Sequence, residues 1–392
     1  MTGHSLPIRG SGLPAGQERA LTGPAILTTP SPAPTATARR NASDPTASSA
    51  KSAAAEWARS FEKALEIRRK LAAARPENRE LQLELAASCV KLADRRAPSR
   101  ESIQADALYR ESESITRRLV ATLPGDRESR SQLAVALVKR GDFLRTGGDA
   151  EGGLRLFEES LALREEVLRE HPGDIRAARD ASVAHLKIGR AVLDAGQARS
   201  IEIARQHIAR ALELRRGLLQ REPETARAQR DVLEAQKALA DLLVSEKQWS
   251  QVQPLLAQAV EQARQLRLAD SADARGLYDL ADICGMAGDA ALKADDKNQA
   301  RTYYDEAMKA AREYLATDPA AAKPRYAAAT AAGRMARLCD ALSRRDDAAR
   351  WWLEALEHID AATKAAPANE LLRVEKQRIQ AEVDRLEGGS GA

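Results

Sequence analysis

The chain has 392 residues, 61 of them basic and 57 acidic, for a net charge of +4, and only 3% are aromatic. Charges that nearly cancel give no general electrostatic case for nucleic acid, which needs a basic stripe or face, no run of about 18 apolar residues supplies a membrane span, and a composition dominated by the helix formers Ala, Leu, Arg, Glu and Gln leaves almost no segment that reads as a strand. Three cysteines without tight spacing imply neither a disulfide framework nor a zinc site, and the apolar patch at Ala25–Leu27 is too short for a secretory signal, so the reading is of a cytoplasmic protein with no metal and no cofactor.

Residues 1–50 hold seven of the 16 prolines, with many Ser, Thr and Gly and no apolar periodicity. Such a segment cannot bury enough surface to offset the entropy of ordering, and it is expected to be a disordered arm. Residues 52–74 then read as one lone helix, in which Trp57 stands where later repeats carry small residues. Trp57 is expected to cover the open end of whatever stacks behind it.

Beyond residue 50 the prolines become regular. Pro76, Pro124, Pro172, Pro223, Pro319 and Pro367 are separated by 48, 48, 51, 96 and 48 residues, with Ser271, a residue of N-cap type, at the midpoint of the 96. A fixed period of this size marks a repeat architecture, and proline suits a joint because it ends one helix and can begin the next. The repeats fall near 76–123, 124–171, 172–222, 223–270, 271–318 and 319–366, within a helical repeat domain at 51–387. A polar capping helix is expected over 367–387 and a flexible tail over 388–392. The third repeat holds three extra residues near Arg199–Ile201, read as a longer turn between its two helices.

Each repeat reads as helix A followed by helix B. Seventeen residues after each joint stands a small residue: Ala93, Gly141, Gly189, Ala240, Gly288 and Ala336. Further on come Ala105, Gly153, Ala204, Val252, Ala300 and Ala348, and four residues beyond these the large Tyr109, Phe157, Ile208, Leu256, Tyr304 and Trp352. Three residues later small ones return at Ser112, Ser160, Ala211, Ala259, Ala307 and Ala355. Small residues on facing sides let two helix backbones approach, and the large residue fills the space beside that contact. Adjacent pairs such as Tyr303-Tyr304 and Trp351-Trp352 serve the two contacts of helix B, with its own helix A and with the next.

No constellation for catalysis stands out. There is no Gly-rich phosphate loop, metalloprotease helix or calcium loop. The histidines His4, His171, His185, His207 and His358 are scattered, and His207 shares a register with Leu108, Leu156, Leu255, Tyr303 and Trp351, which reads as packing. Cys89, Cys284 and Cys339 sit at apolar helix A positions. Acid pairs such as Glu165-Glu166 and Asp346-Asp347 read as solvated helix faces. The chain is therefore read as no enzyme.

The order small, twelve residues, small, four, large, three, small resembles the tetratricopeptide-repeat family across roughly 52–387. The family's unit is about 34 residues; here it is 48, and the excess divides into seven residues before the pattern and seven after it. Seven residues are about two turns and drift only ~20°, so each helix lengthens without changing its facing side. Segments such as His171-Pro172-Gly173-Asp174 and Glu158-Glu159-Ser160-Leu161 are similar to long repeats of bacterial multidomain signalling proteins. The resemblance implies an all-α, right-handed α-solenoid of about six helix pairs with an N-terminal helix and a C-terminal cap.

In that family the inner side of helix A binds extended peptides or partner helices. Here it carries Lys91, Lys139, Lys187 and Arg334 at one register, and Asp94, Asp142, Arg190, Asp241, Asp289 and Arg337 three residues on. Two readings stand: a mixed Lys/Asp strip that binds a protein or peptide on a concave surface, and a solvated face with short-range charge pairs. The asparagines, Asn41, Asn78, Asn298 and Asn369, avoid these inner positions, which speaks against a clamp for chaperone carboxylates. The functional expectation is a non-enzymatic protein-interaction scaffold or adaptor in bacterial signalling or complex assembly. The alternative is a solenoid that senses a peptide or small ligand and acts on a separate effector.

Overall fold

The computed structural model describes residues 45–97, 102–194, 198–270, 272–367 and 369–388. The chain divides into two units, 1–55 and 56–392; of the first, only the opening of α1 is described. The expected arm at 1–50 thus lies mostly outside the described residues. The side chain of Trp57, and with it the expected cover, lies outside them too.

Every regular element among the described residues is an α-helix. The helices are α1 (Pro45–Ala74), α2 (Arg79–Arg96), α3 (Ser102–Thr122), α4 (Arg127–Thr146), α5 (Ala150–Glu170), α6 (Ile175–Asp194) and α7 (Ala198–Arg221). They continue as α8 (Ala226–Ser245), α9 (Trp249–Ala269), α10 (Ala274–Lys293), α11 (Lys297–Thr317), α12 (Ala322–Ala341), α13 (Arg345–Ala365) and α14 (Glu370–Gly388). Even-numbered helices are the A helices. They begin at 79, 127, 175, 226, 274, 322 and 370, which is every 48 residues apart from one step of 51.

The joints are built as the prolines predict, and the caps lie two residues beyond them. Asn78 accepts a hydrogen bond from the Leu81 amide at 2.9 Å, Asp126 from Ser129 at 2.9 Å and Asp174 from Ala177 at 2.8 Å. Each satisfies one of the amides that a helix start leaves without a partner. At the fifth joint the N-cap is Asp273, which accepts from Arg275 at 2.9 Å; Ser271 itself lies outside the described residues.

Helices pack in the expected pairs, α2 with α3 through α12 with α13, and each B helix also packs on the next A helix. The small residue of helix A lies under the large one of helix B. A Cβ added to Gly141 would stand 2.6 Å from Phe157 Cε1, and one on Gly189 2.7 Å from Ile208 Cγ1. Both large residues are buried, as are Tyr109, Leu256, Tyr304 and Trp352. Tyr303 and Trp351 pack, partly buried, against the same core. Core and repeat stacking together make the described residues of the second unit an all-α solenoid.

One expectation is corrected. The three extra residues of the third repeat do not lengthen a turn. Arg199–Ile201 lie inside α7, which has 24 residues where the other paired B helices have 21. Ala198, Arg199 and Glu202 are good helix formers, and growth at the helix start leaves the contact register of Ala204, Ile208 and Ala211 untouched.

Four of the turns between A and B helices hold a left-handed residue. Gly148 (φ 94°), Lys247 (58°), Asp295 (61°) and Ser343 (58°) occupy equivalent positions. Only the first is the glycine that this conformation favours.

Candidate functional site

The A helices form one row. Consecutive members touch, α2 with α4, α6 with α8 and α10 with α12. This row carries the lysines and aspartates singled out in the sequence, and the structure pairs them across repeats. Lys139 Nζ lies 2.7 Å from Asp94 Oδ2, and Lys187 Nζ 2.6 Å from both oxygens of Asp142. Arg334 Nε donates to Asp289 at 3.0 Å, and Arg337 to the same carboxylate at 3.2 Å. Each of the first three rungs joins residues 45 apart, so the cation of one repeat meets the anion of the repeat before it. Lys91 and Asp241 are exposed. Arg190, which replaces the aspartate in the third repeat, pairs instead with Glu234 at 3.0 Å.

Two aspartates are held further. Asp94 accepts from the Tyr109 hydroxyl and Asp289 from that of Tyr304, both at 2.7 Å. Burial pushes the Asp289 carboxyl up, but Arg334, Arg337 and the Tyr304 hydroxyl outweigh it and keep it below the usual range. The opposed charges make the row a mixed electrostatic surface. Toward its C-terminal end a cavity of about 120 Å³ opens between α10 and α12, walled by Tyr278, Tyr326, Asp282, Thr330 and Arg334. Lys323 Nζ sits 4.0 Å from the centre of the Tyr278 ring, a cation–π distance. Asp282 is paired with Lys237, reversing the direction of the first rungs.

Three features escaped the sequence reading. A second ladder runs along the B helices: Arg69–Glu111, Arg117–Glu159, Arg264–Glu306 and Arg312–Glu354, each spanning 42 residues. The constant Arg-to-Glu spacing was the available signal. Two arginines are buried at one register of α5 and α7. Arg164 donates to the Asp180 carbonyl, and Arg215 to the Asp231 carbonyl, both at 2.5 Å; burial lowers both guanidinium pKa values. Finally, His185 and His207 meet, with Nδ1 atoms 2.9 Å apart, and Glu165 lies 3.1 Å from His185 Nε2. The thiols behave as expected of packed residues, burial pushing Cys89 up to about 12. Among the described residues no group of three or more His, Cys, Asp or Glu side chains is placed to hold a metal ion, and no helix is long and apolar enough to cross a membrane.

No protein-family model and no curated protein matches the sequence. Among solved structures, the chain is similar to BtubC from P. vanneervenii, at 18% identity and a TM-score of 0.51, over 64% of this chain and 89% of that one. The fold is tetratricopeptide-like. A thermophilic tetratricopeptide protein of Thermus thermophilus aligns at 20% identity and TM-score 0.38, over 63% of this chain and 99% of its own. MamA of Desulfovibrio magneticus aligns at 16% and 0.32, over 59% and 96%. At those TM-scores the last two likenesses carry no argument. The tetratricopeptide-like helix pairs are a helical repeat scaffold.

Proposed function

We propose that this chain is a non-enzymatic protein-interaction scaffold that binds a peptide or partner protein along the concave row of A helices. The observation that carries the reading is the pairing of Lys139, Lys187 and Arg334 with aspartates of the preceding repeat, beside the Tyr278–Tyr326 cavity. Such pairs fix the surface residues before a partner arrives, which lowers the ordering cost of binding. Partly buried tyrosines beside fixed charges are the residue types that anchor protein interfaces. A role in bacterial signalling or complex assembly belongs to the same proposal.

A second reading is a solenoid that senses a peptide or small ligand and acts on a separate effector. The small cavity between α10 and α12 favours it.

The test uses the full chain as bait in its native host, with the recovered partner then purified and its affinity measured directly. Tyr278→Ala/Tyr326→Ala and Lys139→Glu/Lys187→Glu are each expected to weaken binding at least about tenfold, roughly 1.4 kcal/mol. Unchanged affinity in both variants sinks the assignment to this row. Native mass spectrometry that retains a small molecule, lost in the tyrosine variant, favours the second reading.

A further inference from the structure

His185 of α6 is buried, and His207 of α7 is half-buried against it, with ring centroids 5.1 Å apart at 44°. The hydrogen-bond accounting of this pair is closed. With the Glu165 carboxyl as acceptor, His185 Nε2 is the donor, and a neutral His185 is left with a bare Nδ1. That atom accepts from His207 Nδ1–H across 2.9 Å. One extra proton is tolerated, because a charged His185 can donate from Nδ1 to a His207 that has moved its own proton to Nε2. A second proton is not: two N–H groups of like charge would then face each other at contact distance.

The surroundings are those of a discontinuity. At the register of His185 and His207 the second repeat has Leu137 and Leu156. Glu165 stands where the preceding repeat carries Arg117 of the B-helix ladder, and its carboxylate turns to His185 instead. In the same repeat as His185, Arg190 replaces the aspartate of the A-helix row. The A-helix row thus exchanges its lysine–aspartate rung for an arginine–glutamate pair between the third and fourth repeats, and the B-helix ladder loses its arginine at the second.

We propose that the His185–His207 pair makes the third repeat an acid-operated joint, in which uptake of a second proton from solvent opens the α6–α7 contact and loosens the solenoid at that point.

The charged groups acting on the pair are Glu158 and Glu165 of α5 and Arg210 of α7, with α6 contributing His185 itself. Burial holds both imidazoles below the ordinary histidine value. Glu165 opposes this for His185 and Arg210 adds to it; for His207, His185 adds to it and Glu158 and Glu165 oppose it. A group that is harder to protonate when folded stabilises the fold fully above its unfolded pKa, about 6.5 for histidine, and that stability is lost as pH falls.

The experiment is hydrogen–deuterium exchange of the full chain at pH 7.5 and 5.0, corrected for intrinsic rates. Protection of α6 and α7 amides should fall about tenfold, while α10 and α11 change less than about twofold. The variant His185→Leu/His207→Leu, which restores the residues of the second repeat, should abolish the difference. Equal protection of α6 and α7 at both pH values, or an undiminished fall in the leucine variant, overturns the proposal. Imidazole NMR on the unmodified chain is independent of how that variant folds: both rings titrating at or above pH 6.5 would also overturn it.

Discussion

Gly141 tests how tightly helix A and helix B are pressed together. A methyl group there would meet Phe157 Cε1 at 2.6 Å, Phe157 Cδ1 at 2.8 Å and the Gly153 carbonyl at 3.0 Å. Ordinary contact begins near 3.4 Å, so the ring must retreat by most of an ångström within a site where it is fully buried. Replacing glycine by alanine in a helix interior favours the helix by about 1 kcal/mol. Overpacking a filled core costs about 1–3 kcal/mol, and the close carbonyl places this site in the upper part of that range. Gly141→Ala is therefore expected to destabilise by about 1–2 kcal/mol net. The fourth repeat provides the compensating change, since Ala240 there faces Leu256. Gly141→Ala/Phe157→Leu should lose less than the sum of the two single variants, because the branched side chain frees the space that the ring occupied. Urea denaturation followed by far-ultraviolet circular dichroism reads all four chains. Gly217→Ala is the control, since a Cβ on Gly217 has nothing within 4 Å; it should stabilise by up to about 1 kcal/mol. If Gly141→Ala proves as stable as the natural chain, the helix contact is looser than argued and the small-under-large account of the repeat fails.

Other outcomes follow from single residues. Lys247→Gly should raise the free energy of unfolding by up to about 1 kcal/mol, seen as a higher urea midpoint, because the turn holds Lys247 in the left-handed region, which costs a side chain about that much. Burial alone would raise the Asp126 carboxyl, but bonds from Arg79 and Ser129 outweigh it and hold it at about 2. Its contribution is then present above about pH 4 and lost as pH falls toward 2. Asp126→Ala should cost about 1–2 kcal/mol at neutral pH and almost nothing at pH 2, measured as the difference in thermal midpoint. Lys187→Ala removes a rung exposed to water, so its cost should stay under about 1 kcal/mol and shrink further in 1 M salt; a loss that is independent of salt would show that the side chain acts by packing.

The fold was legible because its signals repeat. Pro76, Pro124 and Pro172 mark joints whose caps lie two residues on, and six large residues at one register are all buried in the structure. A repeat lets a weak local signal be read several times. The site was less legible because its contacts join different repeats. Lys91 and Asp94 stand three apart on one helix, yet the pairing that forms is Lys139 with Asp94, and nothing along a single helix announces it. Nothing in the sequence marks Arg164 and Arg215 as buried, since an arginine carries its charge wherever it is written; only the backbone carbonyls of the next helix reveal why they are inside. His185 and His207 are 22 residues apart on separate helices; His207 alone reads as packing, and His185 as one of five scattered histidines. The three extra residues of the third repeat read as a turn because insertions usually lie there, whereas helix-forming side chains let α7 absorb them.

The B-helix ladder has a consequence for how such a chain can change length. Arg264 reaches Glu306 and Arg312 reaches Glu354 over the same span of residues. Excising one whole unit between those two rungs would bring Arg264 opposite Glu354, with the joint, the cap and the small-under-large contact all in phase. A cut that is not a whole number of units would misalign the rung that spans it. Gain or loss of complete units is therefore the inexpensive route by which this architecture can vary, and the reach of its binding row would change in steps of one repeat while the core stayed the same.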